Sequence, residues 1–240
     1  MRKRGLQVFL KAHMIPLDNI KVNVVVRITN KSYPKGAETV LVLAHGAGAP
    51  ADSPFMEQLA EELEGQGVAC VRFEFPYMEK RREDGKKRPP DRAPVLLEAF
   101  REQIQQVRAE VGARCRLAIG GKSMGGRMAS LVASEGDAQV DAVVCFGYPF
   151  HPPGKLDRWR IDHLPNVTCP LLVLQGTRDP FGKPEEIDAQ GNIEGITRLC
   201  WLDGGNHDFA TLVKHPLEQS DLIREAAKIT RQFLEDYAGA

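Results

Sequence analysis

The chain has 240 residues, enough for one large α/β domain with a full core, and no Ser/Gly-rich linker divides it. Its 32 Lys and Arg balance 32 Asp and Glu, so no overall field draws it to nucleic acid or a membrane surface. Five cysteines lie in or beside apolar runs and read as buried thiols, not as a disulfide framework or metal site; the basic start leads into no long apolar stretch, so we expect no signal peptide or membrane span, and a cytoplasmic location.

In chain order, residues 22–28 are β-branched and apolar, which suits an antiparallel edge strand paired with residues 6–14. A turn at Pro34-Lys35-Gly36 leads to residues 39–44, a continuous apolar run expected of a strand covered on both faces. It ends in the backbone-rich loop His45-Gly46-Ala47-Gly48. Ser53-Pro54 then supplies a helix N-cap and first residue, Phe55, Leu59 and Leu63 keep helical spacing, and Gly65 and Gly67 stop the helix. Residues 68–73 are the next buried strand.

Residues 79–92 hold seven basic residues against four acidic ones, with Gly85 and Pro89-Pro90. They read as an extended loop, either a solvated connector or a lid that attracts anionic substrates. Leu96, Phe100, Ile104, Val107 and Val111 mark one face of a helix that Gly112 ends. Residues 115–119 have strand length, and residues 127–133 read as a helix. Residues 140–146, 171–175 and 196–202 are further strands, and Leu222, Ala226, Ile229, Phe233 and Tyr237 mark a closing helix. This alternation implies βαβ units, a mainly parallel sheet of α/β class in one domain, and ligands beyond the carboxyl ends of the strands.

Between the strand at 115–119 and the helix at 127–133 lies Gly120-Gly121-Lys122-Ser123-Met124-Gly125-Gly126. A strand-to-helix turn this sharp needs small residues on both sides of the serine, and Gly121 and Gly125 supply them, so Ser123 reads as a nucleophile. Gly121-Lys122-Ser123 mimics the end of a phosphate-binding P-loop, but that motif needs a glycine where Arg116 stands, which rejects it. A serine hydroxyl needs a base and a carboxylate to orient that base. Asp179, in Gly176-Thr177-Arg178-Asp179-Pro180, follows a strand and is the candidate acid. His207, in the glycine-rich Gly204-Gly205-Asn206-His207-Asp208, is the candidate base among six histidines. Two backbone N–H groups are expected to hold the oxyanion, those of Ala47 and Met124. Lys122 and Arg127 flank the turn as possible anion contacts or surface residues.

Together the elbow, the HGAG loop, Gly-Thr-Arg-Asp and Asn-His-Asp resemble the α/β-hydrolase superfamily over nearly the whole chain. More narrowly, His45–Gly48 with Ser53-Pro54-Phe55-Met56, the elbow through Arg127, and Gly147-Tyr148-Pro149-Phe150-His151-Pro152-Pro153-Gly154-Lys155 resemble a small branch. It comprises the testis-expressed protein 30-like proteins and the hydrolase-like region of the nonspecific-lethal complex subunit 3. The resemblance implies an eight-stranded, mostly parallel sheet with antiparallel first strands, a minimal cap or none, and the roles named above for Ser123, Asp179 and His207. The expected activity is a cofactor-free serine hydrolase, carboxylesterase-like, acting on an ester or thioester of a small acyl substrate. The alternative is a non-catalytic interaction module on the same fold. Tyr148 and His151, which follow a strand, are expected to line the substrate pocket; the alternative is that this proline-rich stretch is a rigid connector in place of a cap domain.

Overall fold

A computed structural model describes residues 27–29, by their backbone alone, and residues 38–237. Its sheet holds β1 (Arg27–Thr29), β2 (Thr39–Ala44), β3 (Ala69–Phe73), β4 (Arg116–Lys122), β5 (Ala142–Phe146), β6 (Leu171–Gly176) and β7 (Arg198–Leu202). Their spatial order is β1-β3-β2-β4-β5-β6-β7. Strands β2 to β7 are mutually parallel, and β1 lies antiparallel to β3 at the edge. This is a mostly parallel α/β sheet with one antiparallel edge strand. The expected strand at residues 6–14, most of that at 22–28, and the turn at 34–36 lie outside the described residues.

Every residue of β2, β3, β5 and β6 is buried, which is why they read as near-continuous apolar runs, broken only by Thr39, Arg72 and Gln175, and not as alternating ones. Alternation still decides the face. Val40 and Val42 join Phe100, Ile104, Met128 and Val132 in one apolar cluster, while Leu41 and Leu43 join Leu59, Leu63, Leu222 and Phe233 in the other. The first layer is roofed by α3 (Ala93–Val111) and α4 (Met124–Ser134), the second by α1 (Pro54–Gly65) and α6 (Gln219–Asp236). Each fully buried Leu, Val or Phe contributes roughly 1.5–3 kcal/mol relative to exposure. Ser53 does occupy the N-cap position of α1 ahead of Pro54, although its side chain makes no capping bond.

One expectation is corrected here. Residues 79–92 are not one extended loop, because α2 (Pro76–Asp84) runs through the first half of them. Only Tyr77 and Met78 of this helix are buried, so it shows no apolar stripe at helical spacing. Its ends obey ordinary stop and start rules: Pro76 stands in the first turn, and Gly85 closes it at φ 68. The short α5 (Pro184–Gln190), with Ile187 alone buried, has no stripe either.

The chain leaves β2 for β3 on one side of the sheet and leaves β4 for β5 on the other. A crevice therefore opens between the carboxyl ends of β2 and β4, the place where open α/β sheets take ligands. Residues 147–170, which join β5 to β6, contain only a 3-10 turn at Leu164–Asn166, so no cap domain is inserted there. No helix among the described residues is long and apolar enough to cross a membrane.

Candidate active site

Ser123 stands between the end of β4 and the start of α4 with φ 52 and ψ −113. Such a backbone is uncommon for a side chain other than glycine and costs on the order of 1–3 kcal/mol. The neighbours explain how it is held. A Cβ on Gly121 would lie 2.5 Å from the Ala44 carbonyl oxygen, and one on Gly125 would lie 2.4 Å from the same atom. Neither position accepts even alanine without moving β2. The Ser123 N–H donates to Phe146 O at 3.0 Å, and its hydroxyl is not spent on capping α4. The hydroxyl turns instead toward His207.

His207 Nε2 lies 2.8 Å from Ser123 Oγ, and its Nδ1 lies 2.8 Å from Asp179 Oδ2. A carboxylate accepts, so the Nδ1 proton faces Asp179 and leaves Nε2 free to accept the serine proton. Asp179 has no exposed surface. Its Oδ2 also accepts from Gln175 Nε2 at 2.8 Å, and its Oδ1 from the Phe181 N–H at 2.9 Å. Three donors thus satisfy a buried charge that would otherwise be costly. The Phe181 ring covers the imidazole at a centroid distance of 4.3 Å. Three residues from the ends of β4, β6 and β7 therefore meet at one rim.

The HGAG loop lies beside the elbow: a Cβ on Gly46 would be 3.8 Å from Ser123 Cβ. The loop is pinned from behind. His45, without exposed surface, accepts the Phe75 N–H at Nε2 (3.1 Å), which leaves Nδ1 to donate to Gly46 O at 2.6 Å. Burial lowers the pKa of His45, which keeps the ring neutral in this role. Tyr77 on α2 donates its hydroxyl to Ala47 O at 3.0 Å. Farther along, the buried Glu74 accepts from the Ala51 N–H at 3.1 Å and from Arg82 at 2.6 Å, while Arg72 donates to Ala51 O at 2.7 Å. Arg82 also reaches Asp52, and that bond lowers the Asp52 pKa. Ala47 lines the pocket at Ser123, and Met124, as the first residue of α4, has an N–H with no carbonyl one turn earlier in the helix to serve it.

The pocket at Ser123 has a volume of about 340 Å³. Ala49, Phe55, Met56 and Phe181 make it apolar, and Lys122, His207 and Asp208 supply its polar side. A larger hollow of about 850 Å³ lies at the amino ends of the strands, around Arg116, Pro170 and Thr197. It holds none of Ser123, Asp179 and His207, so the smaller pocket is the candidate site.

Tyr148 and His151 do not line it. Both have no exposed surface. Gly147 takes φ 67 and turns the chain inward. Tyr148 then packs on Phe150 at 4.9 Å between ring centroids and donates its hydroxyl to Arg160 O at 2.9 Å. His151 lies 3.2 Å from Glu186 Oε2 and packs against Trp159. Both brace the β5–β6 connection and leave the pocket to other residues. Lys122 is neither on the surface nor free: its ammonium is tied to His207 and Asp208. Sequence reasoning placed His45 after a strand without giving it this pinning role, and it missed Gln175, whose signal is a polar residue inside a fully buried strand, and Tyr77 on α2. All five cysteines are free.

Residues 37–235 match the family model described as "Alpha/beta hydrolase domain". Among solved structures, a dienelactone hydrolase from Anabaena variabilis superposes with a TM-score of 0.66 at 22% identity, over 85% of this chain and 88% of that one. Est1E from Butyrivibrio proteoclasticus, solved with ferulic acid bound, gives 0.65 at 15% identity, over 90% and 96%. A monoacylglycerol lipase from Paleococcus ferrophilus gives 0.62 at 16%, over 87% and 99%. At these identities the likeness is one of fold. A Mycobacterium tuberculosis protein provisionally named a phosphoribosyl transferase is 26% identical over 210 residues, and this chain spans 42% of its length.

Proposed function

The chain belongs to the α/β-hydrolase family, and from that premise we propose that it is a serine hydrolase, carboxylesterase-like, cleaving an ester or thioester of a small acyl substrate. The observation that carries the reading is one imidazole placed 2.8 Å from both a serine hydroxyl and a buried carboxylate.

In this mechanism Ser123 Oγ attacks the carbonyl carbon as His207 Nε2 takes its proton. Asp179 steadies the imidazolium so formed, and the oxyanion is held by the N–H groups of Ala47 and Met124. Collapse of the tetrahedral adduct breaks the bond to the leaving alcohol or thiol, which departs with the proton from His207. Water, deprotonated by the same imidazole, then attacks the acyl-enzyme, and the carboxylate product leaves as the proton returns to Ser123. The apolar walls at Ala49, Phe55, Met56 and Phe181 suit a short or flat acyl group. The HGAG, GKSMGGR and GYPFHPPGK motifs support placing the chain within the testis-expressed protein 30-like branch.

The test is labelling with a fluorophosphonate probe beside turnover of p-nitrophenyl esters of increasing chain length. Wild type should be labelled and Ser123→Ala should not. Equal labelling of the two proteins would move the nucleophile elsewhere.

A further inference from the structure

Lys122 is the last residue of β4, directly before the nucleophile. Its backbone is fixed by pairing with Phe146 of β5. Strand alternation puts its side chain on the face of Ala118 and Gly120, toward α1, where its ammonium lies 5.4 Å from the centre of the Phe55 ring. The residue is 5% exposed.

A lysine in this setting needs a reason. Taking an ammonium out of water costs several kcal/mol unless polar groups replace the water. Burial indeed lowers the Lys122 pKa, opposed by the carboxylates of Asp208 and Asp179. Two partners replace the solvent. Nζ donates to the main-chain carbonyl of His207 at 2.7 Å and lies 3.2 Å from Asp208 Oδ1. The geometry is close on the remaining side too: a Cβ on Gly147 would meet His207 O at 3.0 Å and Lys122 Nζ at 3.3 Å.

We propose that Lys122 is a positioning residue: its ammonium is a strut that ties the His207 loop to the strand bearing Ser123 and so sets the reach of the imidazole. The inference rests on reading Ser123 and His207 as nucleophile and base. Among the described residues, the other hydrogen bond that joins His207 to the elbow is made by its ring, across 84 residues of chain. The carbonyl bond fixes the backbone from which that ring hangs. Asp208, whose side chain is 65% exposed, mainly balances the charge. A shorter or uncharged side chain at 122 leaves the loop free to shift, and a shift approaching 1 Å costs up to roughly 100-fold in rate.

The experiment compares Lys122→Met, which keeps the apolar stem, with Asp208→Asn, which keeps the carbonyl bond. The substrate is p-nitrophenyl acetate, and each protein is also unfolded in urea. We expect Lys122→Met to lose about 10- to 100-fold in kcat with KM within about twofold and a near-native unfolding midpoint. Asp208→Asn should lose several-fold less than Lys122→Met. Retained kcat in Lys122→Met, or a raised KM with unchanged kcat, would overturn the proposal, the latter by making Lys122 a substrate contact. Equal losses in the two variants would overturn it as well, since the ion pair would then matter and the carbonyl strut would not. A proton NMR signal from the His207 Nδ1–H in its bond to Asp179 gives a reading independent of turnover. It should shift or broaden in Lys122→Met. If wild type neither turns over nor takes the probe, the acyl-transfer reading fails while this signal still reports whether Lys122 holds the ring.

Discussion

Replacing Asp179 by Asn changes no volume and tests the acid's assignment through hydrogen-bond arithmetic. Both carboxylate oxygens act only as acceptors: Oδ2 serves His207 Nδ1 and Gln175 Nε2, each at 2.8 Å, and Oδ1 serves the Phe181 N–H at 2.9 Å. An amide has one accepting oxygen and one donating nitrogen. If the oxygen faces His207 and Gln175, the NH₂ group opposes the Phe181 N–H inside a site with no exposed surface. If the oxygen faces Phe181, the NH₂ group opposes Gln175 and forces the imidazole to carry its proton on Nε2, where it can no longer accept one from Ser123. The first arrangement leaves at least one buried donor unsatisfied, about 1–3 kcal/mol. The second also sets donor against donor at Gln175 and adds the wrong tautomer, for which a loss on the order of 10⁴ in kcat is the precedent in serine proteases. Urea unfolding and p-nitrophenyl acetate turnover read the two costs separately. An Asp179→Asn protein that keeps more than a tenth of wild-type kcat together with a wild-type urea midpoint would refute the assignment of Asp179 as orienting acid.

Two other predictions follow from the same geometry. Gly147→Ala adds a methyl 3.0 Å from His207 O and 3.4 Å from His207 Nδ1 at φ 67, so kcat should drop about 10-fold or more without direct contact with substrate; unchanged kcat would show that the His207 loop adapts. His163, hydrogen-bonded to Ser130 at 2.8 Å, has its pKa lowered from 6.5 to about 4, first by burial and then by the nearby Arg127. Between those values the unfolded chain binds more protons than the folded one, so this contribution is fully present above pH 6.5 and is lost as pH falls toward 4. His45, lowered by burial, acts with the same sign. The urea midpoint of wild type should therefore decline across that window, and His163→Gln should flatten the decline; parallel curves would place the titration elsewhere.

Which parts of this molecule were readable from its sequence depends on how local the governing constraint is. The elbow was readable because steric exclusion at Gly121 and Gly125 leaves no other residue type possible. The central strands were readable because both faces are covered, which leaves no polar position in β2 or β5 except the leading Thr39. Helix α2 was not, because it buries only its first turn and so lacks a periodic stripe. The rule that functional side chains follow strands located Ser123, Asp179 and His207 at one rim and misplaced Tyr148. That rule fixes position along the chain but not direction, and direction after β5 is set by the left-handed turn at Gly147. Lys122 shows the complementary case. Counting by two from Ala118 through Gly120 places it on a covered face, and a cation there must have fixed partners close by. The sequence thus held the strut in plain view, but its partner, a main-chain carbonyl 85 residues away, carries no side-chain signature and only the fold could supply it.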